Sequence, residues 1–278
     1  MTSKPKGTLI IIGGHEEKEG DQAILSEVAS HARKGKGRLV VVTVASRVPE
    51  ELSTEYRSIF EGLGLKQVDV VDIRTRDEAH DPERIQAIQE ASVIFFTGGD
   101  QLRITSQVGD SPLFHSLRDH YYRGGTIAGT SAGAAAMPET MIVGGPSDES
   151  NRISALRMAA GLGLIGGVTI DSHFAQRGRI GRLLGVVAQN PRNLGIGIDE
   201  DTAIVVSDSE QFRVVGSGAV YVADGSDISY SSLSEEQAEG IVSIYDVRLH
   251  VLGADDSFDL VERRPNKPQE EREETSKR

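Results

Sequence analysis

The sequence predicts an α/β fold: a mostly parallel central sheet with helices on both faces, followed by a β-rich C-terminal part. Three observations predict it. Short runs rich in Val and Ile recur between amphipathic stretches of helical period, through about residue 189. Those runs are apolar throughout rather than alternating, the pattern of strands buried on both faces. Beyond Asn190 the helical stretches thin out, and short strand-like runs follow one another across polar turns.

In chain order, Thr8–Ile12 is apolar and β-branched, and Gly13-Gly14 ends it. Asp21–Arg33 has the spacing of an amphipathic helix. Arg38–Val44 is a second buried strand, Glu50–Leu63 a helix and Gln67–Val71 a strand. Asp81-Pro82 opens a helix, with Asp as cap and Pro in the first turn. Ser92–Thr97 is a strand stopped by Gly98-Gly99, Thr126–Ala128 a short strand, and Ala132–Ala136 a run of small, helix-compatible residues. Val168–Ile170 is a strand, and Gly195–Thr202 a strand that ends in three carboxylates. Ala203–Ser207, Phe212–Val215, Ala219–Val222 and Ile241–Leu252 are strands expected to extend or cap the first sheet rather than to fold apart. Arg263–Arg278 is densely charged and holds no apolar residue besides two prolines, which reads as a disordered tail after one domain over 1–262.

Composition excludes several classes. The 278 residues contain no cysteine, so there is no thiolate nucleophile, disulfide framework or zinc–thiolate site. No apolar run is long enough to span a bilayer, and Met1–Gly7 lacks the apolar stretch of a signal peptide, so the expected compartment is the cytoplasm. A net charge of −12 argues against nucleic-acid binding. No H-E-x-x-H or similar spacing points to a metal, and no cofactor is expected. Gly13-Gly14 and Gly161-Leu162-Gly163 lack the full glycine spacing of a dinucleotide site.

In a parallel sheet, sites form at the carboxyl ends of strands, which directs attention to the loops at residues 13–17, 98–101 and 129–133. Gly129-Thr130-Ser131-Ala132-Gly133 matches G-x-S-x-G, the nucleophile elbow. A sharp strand-to-helix turn exposes the serine hydroxyl, tiny neighbours let backbones approach, and the following N–H groups face a developing oxyanion. The alternative is a tight turn whose serine only caps the helix.

An activated serine needs a base and an orienting acid. Of seven histidines, His173 stands out, because it leaves the end of a strand at Asp171-Ser172-His173-Phe174. His15, after Gly13-Gly14, is a second pocket candidate. His31, His80, His115, His120 and His250 lie on helices, in a charged loop or in a late strand. For the acid, Asp199, Glu200 and Asp201 are all open by spacing. The order Ser, His, acid differs from the Ser, acid, His order of α/β-hydrolases.

At these positions the sequence resembles cyanophycinases. Ile11–Glu16, Phe96–Gln101, Gly129–Ala134, Asp171–Arg182 and Gly197–Glu200 occur in the order seen in that family, and His173–Arg182 is the most specific piece. The resemblance implies a fold like that of class I glutamine amidotransferases, with Ser131 as nucleophile, His173 as base and Glu200 as the acid. It implies that Gln101, Asp171, Arg177, Arg179 and Arg182 line the substrate site, together with Ser172, where the family often has Gln. The implied substrate is cyanophycin, a polyaspartate bearing arginine on each side-chain carboxyl, released as β-aspartyl-arginine dipeptides, and the family suggests a homodimer. Oxyanion donors are expected from the N–H groups of Ala132 and of Gly98 or Gly99. Arginine forks suit carboxylates, while Asp171 and Asp100 are candidates for substrate guanidinium groups. If a helix starts near Arg177, Arg179 and Arg182 share a face.

Two other functions compete with this reading. A dipeptidase for N-terminal aspartyl or isoaspartyl peptides would use the same triad in a closed pocket. A non-catalytic binding protein would not need Ser131, His173 and Glu200 together. A glutamine amidotransferase is excluded by the missing cysteine.

Overall fold

The computed structural model describes residues 4–144, 156–233 and 242–266. Its first half alternates as the sequence predicts: β1 (Thr8–Ile12), α1 (Ala23–Lys34), β2 (Arg38–Val42), α2 (Pro49–Gly62), β3 (Gln67–Val71), α3 (Pro82–Glu90), β4 (Val93–Phe96), α4 (Gln101–Val108), α5 (Pro112–Tyr122), β5 (Thr126–Thr130) and the short α6 (Ala132–Ala135). Asp81 caps α3 as expected, its side chain accepting the Glu83 N–H at 2.8 Å. Then come β6 (Thr140–Gly144), β7 (Arg157–Ala160), β8 (Val168–Ser172), α7 (Ile180–Gln189), β9 (Leu194–Ile198), β10 (Thr202–Ser207), β11 (Gln211–Gly216) and β12 (Val220–Asp224). The chain ends in short strands: β13 (Tyr230–Ser231), β14 (Ile244–Tyr245), β15 (Arg248–Leu252), β16 (Ser257–Asp259) and β17 (Arg264–Pro265).

A nine-stranded sheet has the order β17-β16-β11-β10-β1-β5-β4-β2-β3. From β1 to β3 every pair is parallel, and from β1 outward through β10 every pair is antiparallel. The apolar strand runs explain the two-sided burial. Leu9 and Ile11 of β1 join one hydrophobic cluster, with Ile88, Ile104 and Leu117 of α3, α4 and α5. Ile10 and Ile12 join the other, with Ile24, Val28 and Phe60 of α1 and α2. Each face therefore removes a full set of large side chains from water, the dominant stabilising contribution.

The C-terminal half divides its strands. β10 and β11 extend the main sheet, as expected. β12 and β15 instead join β8 and β9 in a separate four-stranded sheet of order β15-β12-β9-β8. That sheet shares the first cluster through Ile170, Ile196, Ile198 and Val222. Arg264–Pro265, placed in the charged tail by composition, pairs with β16 at the sheet edge. The two residues gain their place by backbone pairing, which hydropathy does not register. Residues 267–278 of the expected tail and residue 241 of the strand expected over Ile241–Leu252 lie outside the described residues. Among the described residues, no helix is long and apolar enough to cross a membrane.

Candidate active site

Ser131 follows β5 with φ 52° and ψ −105°, a conformation that costs a non-glycine residue about 1–3 kcal/mol. The fold holds it there. The Ser131 N–H donates to Ile12 O at 3.0 Å, and the Ala135 N–H donates to Ser131 O at 2.9 Å. The flanking glycines are needed for close approach. A Cβ at Gly129 would stand 2.7 Å from Gly133 C, and one at Gly133 would stand 2.6 Å from Phe96 O. Ser131 takes the N-cap position of α6, but its side chain makes no cap bond. Its Oγ lies 2.8 Å from His173 Nε2.

His173 leaves β8 in the left-handed region, at φ 51°, and its N–H donates to Gly13 O at 2.8 Å. The imidazole packs on the backbone of Gly14, where a Cβ would come within 2.3 Å of the ring. On the far side, His173 Nδ1 is 2.7 Å from Glu200 Oε1. The three adjacent carboxylates are thereby separated by geometry. Asp199 accepts the N–H groups of Ala175 at 2.9 Å and Ala219 at 3.1 Å. Asp201 accepts the Glu17 N–H at 2.9 Å and the Ser217 hydroxyl at 2.6 Å. These two fasten the turn between β9 and β10, and Glu200 between them reaches the imidazole.

Burial pushes the His173 imidazole below its ordinary pKa, opposed by the hydrogen bond to Glu200. Burial pushes the Glu200 carboxyl up, but the His173 hydrogen bond and the nearby imidazoles outweigh it and hold the group below the usual carboxylate range. A neutral imidazole, with its proton at Nδ1 toward an ionised carboxylate, leaves Nε2 able to accept the Ser131 proton.

Beside Ser131 lies a cavity of about 260 Å³, lined by Gly99, Gln101, Ala132, Ser172, Arg177 and Ile142 among others. Gln101 starts α4, and its Nε2 donates to Ile142 O at 2.8 Å. The arginines differ from one another. Asp171 is buried, and its Oδ1 accepts from Arg179 Nη1 at 3.0 Å while its Oδ2 accepts from Arg182 Nε at 2.7 Å. Arg182 Nη2 also donates to Asp171 Oδ1, completing a bidentate fork, and Arg179 Nη1 also donates to Ser172 O at 2.5 Å. Burial draws the Arg179 pKa down to about 10. Arg177 has no carboxylate partner among the described residues.

Several expectations change in detail. The helix starts at Ile180 rather than near Arg177, yet Arg179 and Arg182 still converge, because Asp171 at the end of β8 draws both. Asp171 lines the cavity but is buried, with both oxygens already engaged by Arg179 and Arg182. Asp100 caps α4, accepting the Leu102 N–H at 2.9 Å. Gly98 sits against Ser131, where a Cβ would be 3.5 Å from the serine Cβ. Gly99 takes φ 144°. The N–H of Ala132 opens α6 next to the serine.

Of the other histidines, His15 stands beside His173, with ring centroids 5.2 Å apart. His31 and His120 reach Thr126 at the opposite end of β5. A larger cavity, about 780 Å³, opens there among Lys34, Lys36 and Arg123. It faces the C-termini of α1 and α5, where basic side chains complement the helix dipoles, and it contains none of the groups around Ser131.

Glu16 was not singled out by sequence. It is buried and accepts hydroxyl hydrogen bonds from Thr130 at 2.6 Å and Tyr56 at 2.5 Å. Its sequence signals were its place beside His15 in the glycine loop and at the end of the Ile11–Glu16 stretch that carries the resemblance. The β6 wall, Ile142–Gly144, was also missed, since nothing in an apolar strand marks it as lining a cavity.

The profile of Peptidase family S51 matches residues 9–214. The chain is 37% identical over 261 residues to the cyanophycinase of Geminocystis herdmanii, covering 94% of this chain and 96% of that protein. It is 38% identical over 260 residues to the cyanophycinase of Nostoc sp., covering 93% of this chain and 87% of that protein. The crystal structure of a peptidase from an acI-B1 Actinobacterium shares the fold, with a TM-score of 0.69 at 20% identity, covering 92% of this chain and 98% of that one.

Proposed function

The chain belongs to Peptidase family S51, and from that premise we propose that it is a serine exopeptidase that degrades cyanophycin to β-aspartyl-arginine dipeptides, with Ser131, His173 and Glu200 as its triad. The observation that carries the reading is the continuous path from Ser131 Oγ through His173 Nε2 at 2.8 Å and Nδ1 to Glu200 Oε1 at 2.7 Å. Residues 1–262 act in it as one catalytic unit, because the serine and its base and acid come from both sheets.

Ser131 Oγ attacks a carbonyl carbon of the polymer backbone while His173 Nε2 takes its proton. The N–H groups of Ala132 and of Gly98 or Gly99 hold the tetrahedral oxyanion. One such donor lowers the barrier by about 3 kcal/mol. Glu200 stabilises the imidazolium, which then gives its proton to the leaving amine. Water, deprotonated by His173, releases the product from the acyl-enzyme. Arg177, on the cavity wall and with no carboxylate partner among the described residues, binds a substrate carboxylate. Arg179 and Arg182, locked on Asp171, shape the wall and keep it electropositive.

The cavity, at about 260 Å³, lies near the lower end of ligand-sized sites, about 300 Å³. It suits one terminal dipeptide unit rather than an extended stretch of polymer, which favours cleavage from an end. The same size also suits a dipeptidase for aspartyl or isoaspartyl peptides. Incubation with insoluble cyanophycin and, separately, with Asp-X and isoAsp-X dipeptides distinguishes them. Release of β-aspartyl-arginine with the dipeptides left intact supports the proposal; cleavage of the dipeptides alone replaces it.

A further inference from the structure

His15 occupies the left-handed region at φ 48°, and its neighbours hold it there. Gly13 O accepts the His173 N–H at 2.8 Å, and Gly14 O accepts the Asp201 N–H at 2.9 Å. The His15 side chain is 74% exposed, and its Nδ1 lies 3.1 Å from Glu200 Oε2. Glu200 therefore places one oxygen on each of two imidazoles, Oε1 on His173 and Oε2 on His15. The two rings meet edge to face with centroids 5.2 Å apart. One ligand atom from each of His15, His173 and Glu200 falls within 4.8 Å of the others.

We propose that His15, His173 and Glu200 form a binding site for zinc, and that zinc bound there inhibits the enzyme. Two imidazole nitrogens and one carboxylate oxygen are a donor set that zinc accepts, with water in the fourth position. Magnesium and calcium prefer more oxygens than this site offers. Tetrahedral zinc sets its ligand atoms about 3.3 Å apart. The His15–Glu200 pair, at 3.1 Å, is already near that spacing; the His173–Glu200 pair, at 2.7 Å, must open by about 0.6 Å, and the exposed His15 ring can close the remainder.

The inhibitory clause rests on the catalytic reading above; the binding clause does not. Zinc would take the lone pair of His173 Nδ1, so the single ring proton of the neutral imidazole moves to Nε2. Nε2 is the atom that must be unprotonated to accept the Ser131 proton. With zinc on one nitrogen and the proton on the other, His173 has no basic site left. No proton is gained or lost by the ring, so the block is a change of tautomer and is reversed when the metal leaves.

The test is a zinc titration of the Ser131→Ala protein, competed with a chromogenic chelator. That protein keeps all three ligands and does not turn over substrate. One zinc per chain at micromolar affinity or tighter is expected, with binding at least tenfold weaker in the double variants that add His15→Asn or Glu200→Gln. Asn tolerates the left-handed backbone, so His15→Asn separates loss of a ligand from loss of the turn, and circular dichroism verifies its fold. Millimolar magnesium or calcium should not displace the zinc. In the protein with Ser131 intact, zinc should lower peptidase activity and EDTA restore it, and His15→Asn should shift the inhibition midpoint at least tenfold upward. Absence of stoichiometric zinc, affinity unchanged by His15→Asn, or full activity with zinc bound would each overturn the proposal. Stoichiometric zinc on a protein with no peptidase activity in any metal state would instead retain the site and reject the catalytic reading.

Discussion

Thr130 Oγ1 donates a 2.6 Å hydrogen bond to Glu16 Oε2, tying the residue before the proposed nucleophile to the glycine loop after β1. The same carboxylate accepts the Tyr56 hydroxyl from α2. Burial, and then the Glu16 charge, push the Tyr56 pKa well up, so Tyr56 stays a donor. One buried carboxylate thus joins three elements around Ser131 and His173.

Glu16→Ala removes the acceptor for two hydroxyls at once. The expected loss is about 3 kcal/mol of stability, read from urea denaturation. The turnover number should fall as well, because the loop carrying Gly13 O, the acceptor of the His173 N–H, loses its anchor. Unchanged stability would show that water replaces the carboxylate.

The neighbouring carboxylates should separate cleanly. Glu200→Gln should lower the turnover number by about 10⁴ with little change in the denaturation midpoint, because it removes the charge that stabilises the imidazolium and lets an amide N–H face His173 Nδ1, favouring the wrong tautomer. Asp199→Ala should instead destabilise the fold by about 2 kcal/mol, since two backbone N–H groups lose their acceptor. Equal effects of both on turnover and stability would refute this division.

Arg177 and Asp171 should likewise part. Arg177→Ala leaves stability within about 0.5 kcal/mol and raises the KM for cyanophycin about tenfold or more, the loss of one charge-assisted hydrogen bond. Asp171→Asn strands two buried guanidinium groups and should destabilise by about 3 kcal/mol or more. Steady-state kinetics beside thermal melts distinguish the two patterns.

Acid stability should carry a contribution from His120. Burial lowers its folded pKa from the ordinary 6.5, against the hydrogen bond to Thr126 O. Between the folded and unfolded values the unfolded chain binds a proton that the folded chain does not. Stability from this group is therefore intact above about pH 6.5 and is lost as pH falls below it. His120→Gln should flatten the fall in unfolding free energy between pH 7.5 and pH 5 relative to the unmutated protein. Parallel curves for the two proteins would remove His120 from the account.

The parallel half of the fold was legible because burial on both faces writes itself into continuous apolar strands, as in Thr8–Ile12 and Arg38–Val42. The placement of Ser131 was legible too, since a turn at φ 52° between β5 and α6 demands the small neighbours that G-x-S-x-G supplies. Choosing among Asp199, Glu200 and Asp201 was beyond spacing, because their directions depend on the turn that joins β9 in one sheet to β10 in the other. The resemblance pointed to Glu200, the carboxylate that touches His173. Asp171 as internal counter-ion was hidden for a different reason. An arginine run near a candidate site reads alike whether its partners are substrate or protein, and only the end of β8 shows that Arg179 and Arg182 are engaged. Division of the C-terminal strands between two sheets was also unreadable, since β10 and β12 have the same apolar texture.

The most direct measurement is dipeptide release from cyanophycin by the unmutated protein and by Ser131→Ala, followed by chromatography and mass spectrometry. The account predicts β-aspartyl-arginine from the first and a rate lower by about 10⁴ or more from the second, with both proteins equally folded. Release by Ser131→Ala at the unmutated rate would contradict it.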